Sequence, residues 1–261
     1  METNNSTSER RARILQELRK QSEVSVNQLS DMFKVSEVTI RKDLNELKRK
    51  NLVARIRGGA IRVPETNLGV DIAIKDKQLF HYKEKSSIGK LAASLINENE
   101  TILLDSGTTT LEVAKNLHTF QNLTIVTNAI NIAMELLAYK RFTVILLGGH
   151  LRDTSLSTVG PIAESTLKIF YCDKLFLGVD SFNLEKGVST PNIEEANINQ
   201  TMMSMSKETI AVFDSSKFNK RSFTFISSVN EIDTIVTDED IPTDIRVQLR
   251  KMNINLHIAR L

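Results

Sequence analysis

Five short segments in the larger, carboxyl-terminal part of this 261-residue chain carry residue types suited to holding a small hydroxylated anion. They are Asp105-Ser106-Gly107-Thr108-Thr109-Thr110, Thr127-Asn128, Gly148-Gly149, Gly178-Val179-Asp180 and Asp214-Ser215-Ser216-Lys217, and each follows an apolar run. Ser106 to Thr110 offers backbone N–H groups and hydroxyls at the start of a helix expected over 109–118, an anion cradle that needs no Walker lysine. Asp105, Asp180 and Glu195 can accept from sugar hydroxyls, while Lys217 and Arg152 can neutralise a phosphate or hold an acid. Asp-Ser-Gly-Thr-Thr taken singly is an ordinary helix cap. Polar or glycine-rich turns at the end of strand after strand point instead to a ligand, and a phosphorylated sugar fits the mixture.

A second chemistry lies near the amino terminus. Residues 36–44 read Ser-Glu-Val-Thr-Ile-Arg-Lys-Asp-Leu, and residues 52–60 read Leu-Val-Ala-Arg-Ile-Arg-Gly-Gly-Ala. Over 36–50, Ile40, Leu44 and Leu47 form one apolar stripe and Ser36 is placed to cap the helix start. Lys42, Asn45 and Arg49 lie opposite Ile40, with Thr39, Arg41 and Lys48 flanking them, so donors and cations are left to meet base edges and phosphates. Helices expected over 9–20 (Ile14, Leu15 and Leu18 on one face) and 25–33 (Val26, Leu29, Met32 and Phe33) support it. The short turn Lys34-Val35 gives helix-turn-helix spacing. Residues 52–56, Gly58-Gly59 and 60–63 read as a hairpin, the glycines permitting the positive φ of a tight turn, and this wing carries Arg55 and Arg57. Charge is divided in the same way. Residues 1–62 carry a net +6 and residues 63–261 a net −4, an asymmetry that the overall +2 conceals. A cationic head on an acidic body is what phosphate binding by one domain requires.

The elements that must position the first set of residues are strands expected over 101–104, 123–126, 142–147, 174–177, 209–213 and 234–236, alternating with amphipathic helices. That alternation predicts an α/β body with a largely parallel sheet. In such a sheet ligands bind outside the carboxyl ends of the strands, where loops and helix amino-termini converge. Residues 63–86, with Pro64, Gly69 and many charges, read as a connector with a weak helical pattern through Val70, Ile72, Ile74 and Leu79.

The run Arg10 to Leu18, Val26 to Val35, Ser36-x-x-Thr39-Ile40-Arg41-Lys42-Asp43-Leu44 and the segment 52–60 resemble the amino-terminal signature of the DeoR family of bacterial transcriptional regulators. The resemblance implies a winged helix in which Ser36, Thr39, Arg41 and Lys42 face the major groove, with the wing over the backbone. The body resembles the same family's sensor domain from about Lys85 to Val236. The matching pieces are Asp105-Ser-Gly-Thr-Thr, Thr127-Asn128, Gly148-Gly149 with Arg152, Phe176-Leu-Gly-Val-Asp180, Glu195-Ala196 and Asp214-Ser-Ser-Lys217-Phe. This second resemblance implies a fold like that of sugar-phosphate isomerases and amino-sugar-phosphate deaminases, used for sensing. Asn199-Gln200 stand where the family often has a lysine, and Ser181 where glycine is common.

Other chemistries lack their signatures. The chain has no Gly-x-x-x-x-Gly-Lys, no Gly-x-Gly-x-x-Gly and no Gly-x-Ser-x-Gly, so nucleotide hydrolysis, dinucleotide binding by the usual fingerprint and α/β-hydrolase action are unsupported. Cys172 is the single cysteine and has no metal-ligand spacing to a histidine, which reads as a structural residue near a strand start. His81, His118, His150 and His257 are dispersed, and the seven methionines read as core filler, with Met202, Met203 and Met205 as an alternative subunit-facing group. With no run of apolar residues long enough to cross a membrane and a polar start, the expectation is a cytoplasmic protein.

The sequence therefore predicts a winged helix-turn-helix domain over 1–62, a connector over 63–84 and an α/β sugar-phosphate sensor domain over 85–261. The expected partners are double-stranded operator DNA, a small phosphorylated sugar and a second copy of the chain. The DNA-facing residues are Ser36, Thr39, Arg41, Lys42, Asn45, Arg55 and Arg57. Asp105, Ser106, Gly107, Thr108, Thr109, Thr127, Asn128, Gly148, Gly149, Arg152, Asp180, Glu195 and Lys217 line the effector site. No catalytic residue, cofactor or metal is assigned. The function expected is repression of a carbohydrate catabolic operon, relieved by the sugar phosphate, with the sign of regulation resting on the resemblance. The alternative is a sugar-phosphate isomerase or deaminase tethered to DNA, for which Asp105, Asp180, Glu195 and Lys217 could move protons.

Overall fold

A computed structural model of the chain describes residues 7–21, 23–49, 52–62 and 71–261. The chain forms two compact units, Met1–Phe80 and His81–Leu261.

In the first unit, helices α1 (Thr7–Gln21), α2 (Val26–Phe33) and α3 (Glu37–Arg49) accompany strands β1 (Glu23–Ser25), β2 (Val53–Ile56) and β3 (Gly59–Arg62). Ser25 starts α2 by accepting from the Gln28 amide at 3.1 Å, and Lys34 closes it in the left-handed conformation at φ 52°, the local geometry of a capped helix end. Ser36 opens α3, its hydroxyl accepting from the Thr39 amide at 3.3 Å. The expected stripe of Ile40, Leu44 and Leu47 is buried against Ile14, Leu18, Leu29 and Phe33. Met32 departs from the expected face: it is 41% exposed. The hairpin closes through Arg57 and Gly58, with Ile56 paired to Gly59. Only Gly58 uses positive φ, at 82°. Gly59 is needed for another reason: β1 pairs with β3, and a Cβ there would lie 2.2 Å from the Val24 carbonyl oxygen. Strand β1 was not expected, because three residues with one apolar member carry no periodicity. Residues 63–70, which include the expected end of the hairpin and the start of the connector, lie outside the described residues. Beyond them the expected helical pattern is realised only as the single turn α4 (Ile74–Lys77).

The second unit opens with α5 (Tyr82–Ala93), which starts inside the segment expected to be a connector. It continues through β4 (Thr101–Leu104), α6 (Thr108–Lys115), β5 (Thr124–Thr127), α7 (Ile130–Leu137), β6 (Thr143–Leu146), β7 (His150–Arg152), β8 (Ser157–Val159), α8 (Pro161–Leu167), β9 (Cys172–Gly178), β10 (Ser181–Asn183), β11 (Gly187–Thr190), α9 (Ile193–Ser204), β12 (Ser206–Val212), β13 (Thr224–Ser227), β14 (Thr234–Asp238), α10 (Thr243–Lys251) and β15 (Asn255–Ala259). A seven-stranded sheet runs β15-β14-β12-β9-β4-β5-β6, and every neighbouring pair is parallel. The six expected strands are all in it, and β15 joins β14 at the edge.

Alternate residues of each strand point to opposite faces, and both faces are covered. Ile102, Leu104, Ile125, Phe176 and Ile210 pack under α5, α6 and α7. Leu103, Val126, Leu175 and Leu177 pack under α8 and α9 with Met202. Burial on both faces explains why these strands read as continuous apolar runs. Met202 is fully buried and Met203 packs against the core, which makes this group core filler. Cys172 begins β9 as a buried thiol, its pKa pushed up to about 11 by burial and the charge of Asp173. The chain runs outward from β4 through β5 to β6, then returns to place β9 on the other side of β4 and continues to β12, β14 and β15. The order therefore reverses between β4 and β9, the place where the loops leaving adjacent strands diverge and leave a crevice.

Candidate functional site

On the first unit, Ser36, Arg41, Lys42 and Asn45 are exposed on one side of α3 and Thr39 is half-buried. Arg41 is held 2.9 Å from Glu37 one turn earlier, an exposed pair worth a few tenths of a kcal/mol and easily exchanged for a phosphate or base edge. Arg57 is exposed at the wing tip, whereas Arg55 is half-buried and its Nη1 has no hydrogen-bond partner among the described residues. The buried side of α3 holds a residue that the sequence pattern alone did not bring forward. Asp43 is 1% exposed and accepts from Arg10 Nε at 2.6 Å and Arg11 Nε at 2.8 Å. This clamp fixes α1 to the helix that presents the donors. The signal was present: Asp43 stands three residues after Ile40, inside the apolar stripe.

On the second unit, the strand-order reversal puts the ends of β4 and β9 side by side. Asp105 is 3% exposed there, and its Oδ2 accepts from the Gly178 amide and from Asn199 Nδ2, both at 3.1 Å. Its Oδ1 has no hydrogen-bond partner among the described residues. Burial, then the nearby charge of Glu195, push the Asp105 pKa up to about 8, against the amides of Ser106, Gly178 and Asn199, which favour the ionised form. Glu195 is buried and forms an ion pair with Arg152, which also donates to Thr154 Oγ1 at 3.0 Å. Thr190 donates its hydroxyl to both Asp180 at 3.2 Å and Glu195 at 3.3 Å. Asp180, Thr190, Glu195 and Arg152 thus form one bonded group, and Asp105 with Asn199 lies close enough for the charge of Glu195 to act on it. Asn199, which with Gln200 stood out in the sequence as a departure, is a direct partner of Asp105.

Helix α6 begins beside this network with no side-chain cap. The amides of Thr108, Thr109 and Thr110 precede its first intrahelical bond, from Leu111 to Gly107 at 3.2 Å, and orphan donors of this kind attract anions. Ser106 and Gly107 are half-buried, and Thr108 and Thr109 are buried. The helix starts one residue earlier than expected and ends in a 3-10 turn over Asn116–Thr119.

The remaining expected residues divide. Thr127 uses its hydroxyl within the protein, donating to the Leu104 carbonyl at 2.7 Å and accepting from the Ala129 amide at 3.1 Å. Asn128 donates from Nδ2 to the Thr158 carbonyl at 3.1 Å, while its fully buried Oδ1 has no partner among the described residues. Gly149 adopts φ 139°, and a Cβ there would stand 2.7 Å from the Val159 carbonyl oxygen, so its smallness serves packing against β8. Gly148 is open and exposed. Lys217 acts on Asp214. Burial alone would raise the Asp214 pKa, but the charges of Lys217, His81 and Lys85 overcome it and hold the carboxyl below its ordinary value. The buried Lys85, on α5, is a cation that no motif in the sequence marks. Among the described residues no group of three or more His, Cys, Asp or Glu is placed to hold a metal ion.

Residues 10–66 match the DeoR-like helix-turn-helix domain and residues 80–239 the DeoR C-terminal sensor domain. The chain is 41% identical over 250 residues to a protein of Escherichia coli O157:H7 named as an aga operon transcriptional repressor, covering 96% of this chain and 93% of that one. It is 34% identical over 256 residues to the transcriptional repressor AccR of Agrobacterium fabrum, covering 98% of each. Among solved structures it is similar to ribose 5-phosphate isomerase A from Neisseria gonorrhoeae, with a TM-score of 0.38 and 17% identity over 52% of this chain and 53% of that one. The chain belongs to the DeoR family of DNA-binding transcriptional regulators.

Proposed function

We propose that this regulator represses a carbohydrate catabolic operon and is released from its operator by a phosphorylated sugar. The observation that carries the reading is the pairing, on one chain, of an exposed donor and cation face on α3 with a crevice at the β4/β9 reversal that offers uncapped α6 amides beside a buried acid network. The amides and Lys217 receive the phosphate, and Asp105, Asp180, Glu195 and Asn128 accept from the sugar. Residues 1–62 act as the DNA-binding domain, 63–84 as connector and 85–261 as sensor. Ser36, Thr39, Arg41, Lys42 and Asn45 meet the major groove, and Arg55 and Arg57 meet the backbone. The names of the two relatives support repression. Two copies of the chain present two α3 helices to the half-sites of one operator, and the sugar phosphate favours a geometry that no longer matches their spacing. No described helix is long and apolar enough to cross a membrane, and the reading places the protein in the cytoplasm with its DNA.

The second reading, an isomerase or deaminase, draws support from Asp105, whose pKa near 8 is suited to proton transfer. We favour sensing, because a promoter address adds nothing to metabolic catalysis. Incubating the full chain with aldose, ketose and amino-sugar phosphates separates the two: the expected result is binding without turnover. Sustained product formation lost in Glu195→Gln overturns the non-enzyme assignment.

A further inference from the structure

Resting on the placement of α3 in the major groove, we infer that Val38 is a specificity-determining residue of the DNA-binding head and that it recognises the C5-methyl group of a thymine.

Val38 is an apolar side chain on a polar face. It is 63% exposed on the first turn of α3 and lies outside the apolar core of the head. Among the described residues of the head, only Met32, on α2, is another large exposed hydrophobic, at 41%. At about 100° per residue, Val38, Lys42 and Asn45 all fall within about 40° of the line opposite the buried Ile40, so the valine heads the same row as a cation and a carboxamide. All three are exposed. Neither folding nor solubility accounts for a valine there. An exposed β-branched side chain gains nothing by burial and is a weaker helix former than alanine.

The neighbours of Val38 on the first turn are already engaged. Ser36 Oγ lies 3.0 Å from Thr39 Oγ1 and accepts from the Thr39 amide at 3.3 Å, so these two hydroxyls serve the helix start. Glu37 holds Arg41 at 2.9 Å on the flank of the row. The amino-terminal residues of a recognition helix are those that reach base edges, and Val38 is the first-turn residue in the middle of the exposed row. Its chemistry then selects the base. Every base edge in the major groove presents donors or acceptors, which an aliphatic side chain would cover without supplying a partner, and thymine alone adds a methyl group. Where the valine meets that methyl, two apolar surfaces leave water together. Cytosine has no methyl at this ring position, so the contact separates T·A from C·G.

The test uses the full chain and the duplexes that it enriches from a random library. Each thymine of the enriched site is replaced in turn by deoxyuridine, which lacks only the C5-methyl, and affinity is read by fluorescence anisotropy. For wild type, one such replacement is expected to weaken binding about fourfold, or about 0.8 kcal/mol. Val38→Ala shortens an exposed side chain and favours the helix. It is expected to bind thymine DNA about fourfold more weakly than wild type, to be indifferent to deoxyuridine at that position, and to keep the wild-type salt dependence, because no phosphate contact is lost. A wild type insensitive to every replacement overturns the inference, as does a Val38→Ala protein that still senses the same methyl or loses DNA binding altogether. Arg41→Ala with Lys42→Ala tests the underlying placement separately. Full DNA affinity in that variant overturns the major-groove reading of α3 and the inference with it, whereas weakened binding there without a Val38 methyl effect overturns the valine assignment alone.

Discussion

Replacing Asp43 with alanine removes the buried acid that both Arg10 and Arg11 engage inside the winged-helix core. Asp43 and Arg10 are both buried, and their contact is 2.6 Å; Arg11, at 2.8 Å, keeps part of its side chain in water. Breaking a buried pair from one side leaves an uncompensated charge and costs about 3 to 5 kcal/mol. Stabilities of about 0.05 to 0.15 kcal/mol per residue give a unit of roughly 80 residues about 4 to 12 kcal/mol in total. The loss is therefore a large share of the fold of the head and has no counterpart in the body. In urea, followed by circular dichroism, Asp43→Ala is expected to lose the head's transition at lower denaturant while the body's transition stays in place. Operator binding at 37 °C is expected to fall with it. The triple variant Arg10→Met, Arg11→Met, Asp43→Leu, which replaces the charges by apolar groups of comparable size, is expected to recover most of the stability. An Asp43→Ala protein within about 1 kcal/mol of wild type, a typical figure for a surface pair, with full DNA affinity, refutes the clamp.

Three further outcomes rest on named residues. Folding raises the Asp105 pKa from 3.8 to about 8, so the folded state binds that proton more tightly and the associated stability is full below pH 4 and lost as pH rises through 8. Asp105→Asn is accordingly expected to match wild type in thermal melts near pH 4, to gain on it steadily up to pH 8 and then to hold a constant advantage; parallel melting curves across pH contradict this. Arg41→Ala with Lys42→Ala is expected to lose about 1 to 3 kcal/mol of operator affinity for each bidentate base contact, with sugar binding unchanged, whereas Arg57→Ala is expected to flatten the salt dependence by about one phosphate contact. In the wing, Gly58→Ala is expected to cost about 1 kcal/mol for its positive φ, while Gly59→Ala, with a Cβ 2.2 Å from the Val24 oxygen, is expected to break the β1–β3 pairing and cost more than Gly58→Ala in the same denaturation series.

Features that repeat at a fixed period were legible in the sequence. Ile40, Leu44 and Leu47 recur at helical spacing, and Leu103, Val126, Leu175 and Leu177 sit in apolar runs, so helices and inner strands were readable from the residues themselves. Single contacts were not. Strand β1 has one apolar residue, and β15 alternates polar with apolar at an edge where one neighbour suffices. Polar residues at strand ends were readable as a set but not by role. Thr127 turned out to tie β5 to β4, and Gly149 to let β8 approach, because both tasks depend on residues distant in sequence. Asn199 stood out in the sequence only together with Gln200, as a departure from the resemblance, and its contact appears only in the fold, where it donates to Asp105, 94 positions earlier in the chain. Asp43 could have been found, since an acid inside an apolar stripe requires a buried cation.

The central claim, that a phosphorylated sugar bound at the β4/β9 crevice controls the grip of α3 on DNA, is tested most directly by fluorescence anisotropy. The full chain is titrated onto labelled DNA from upstream of its own gene, with and without each sugar phosphate, as wild type and as Thr108→Val. A ligand shifts an equilibrium only as far as it prefers one state. In wild type one sugar phosphate is therefore expected to weaken DNA binding at least about tenfold, or about 1.4 kcal/mol. In Thr108→Val, unliganded DNA affinity is expected to stay near wild type and the response to disappear. DNA binding that ignores every sugar phosphate, or a Thr108→Val protein that responds as wild type does, contradicts the account.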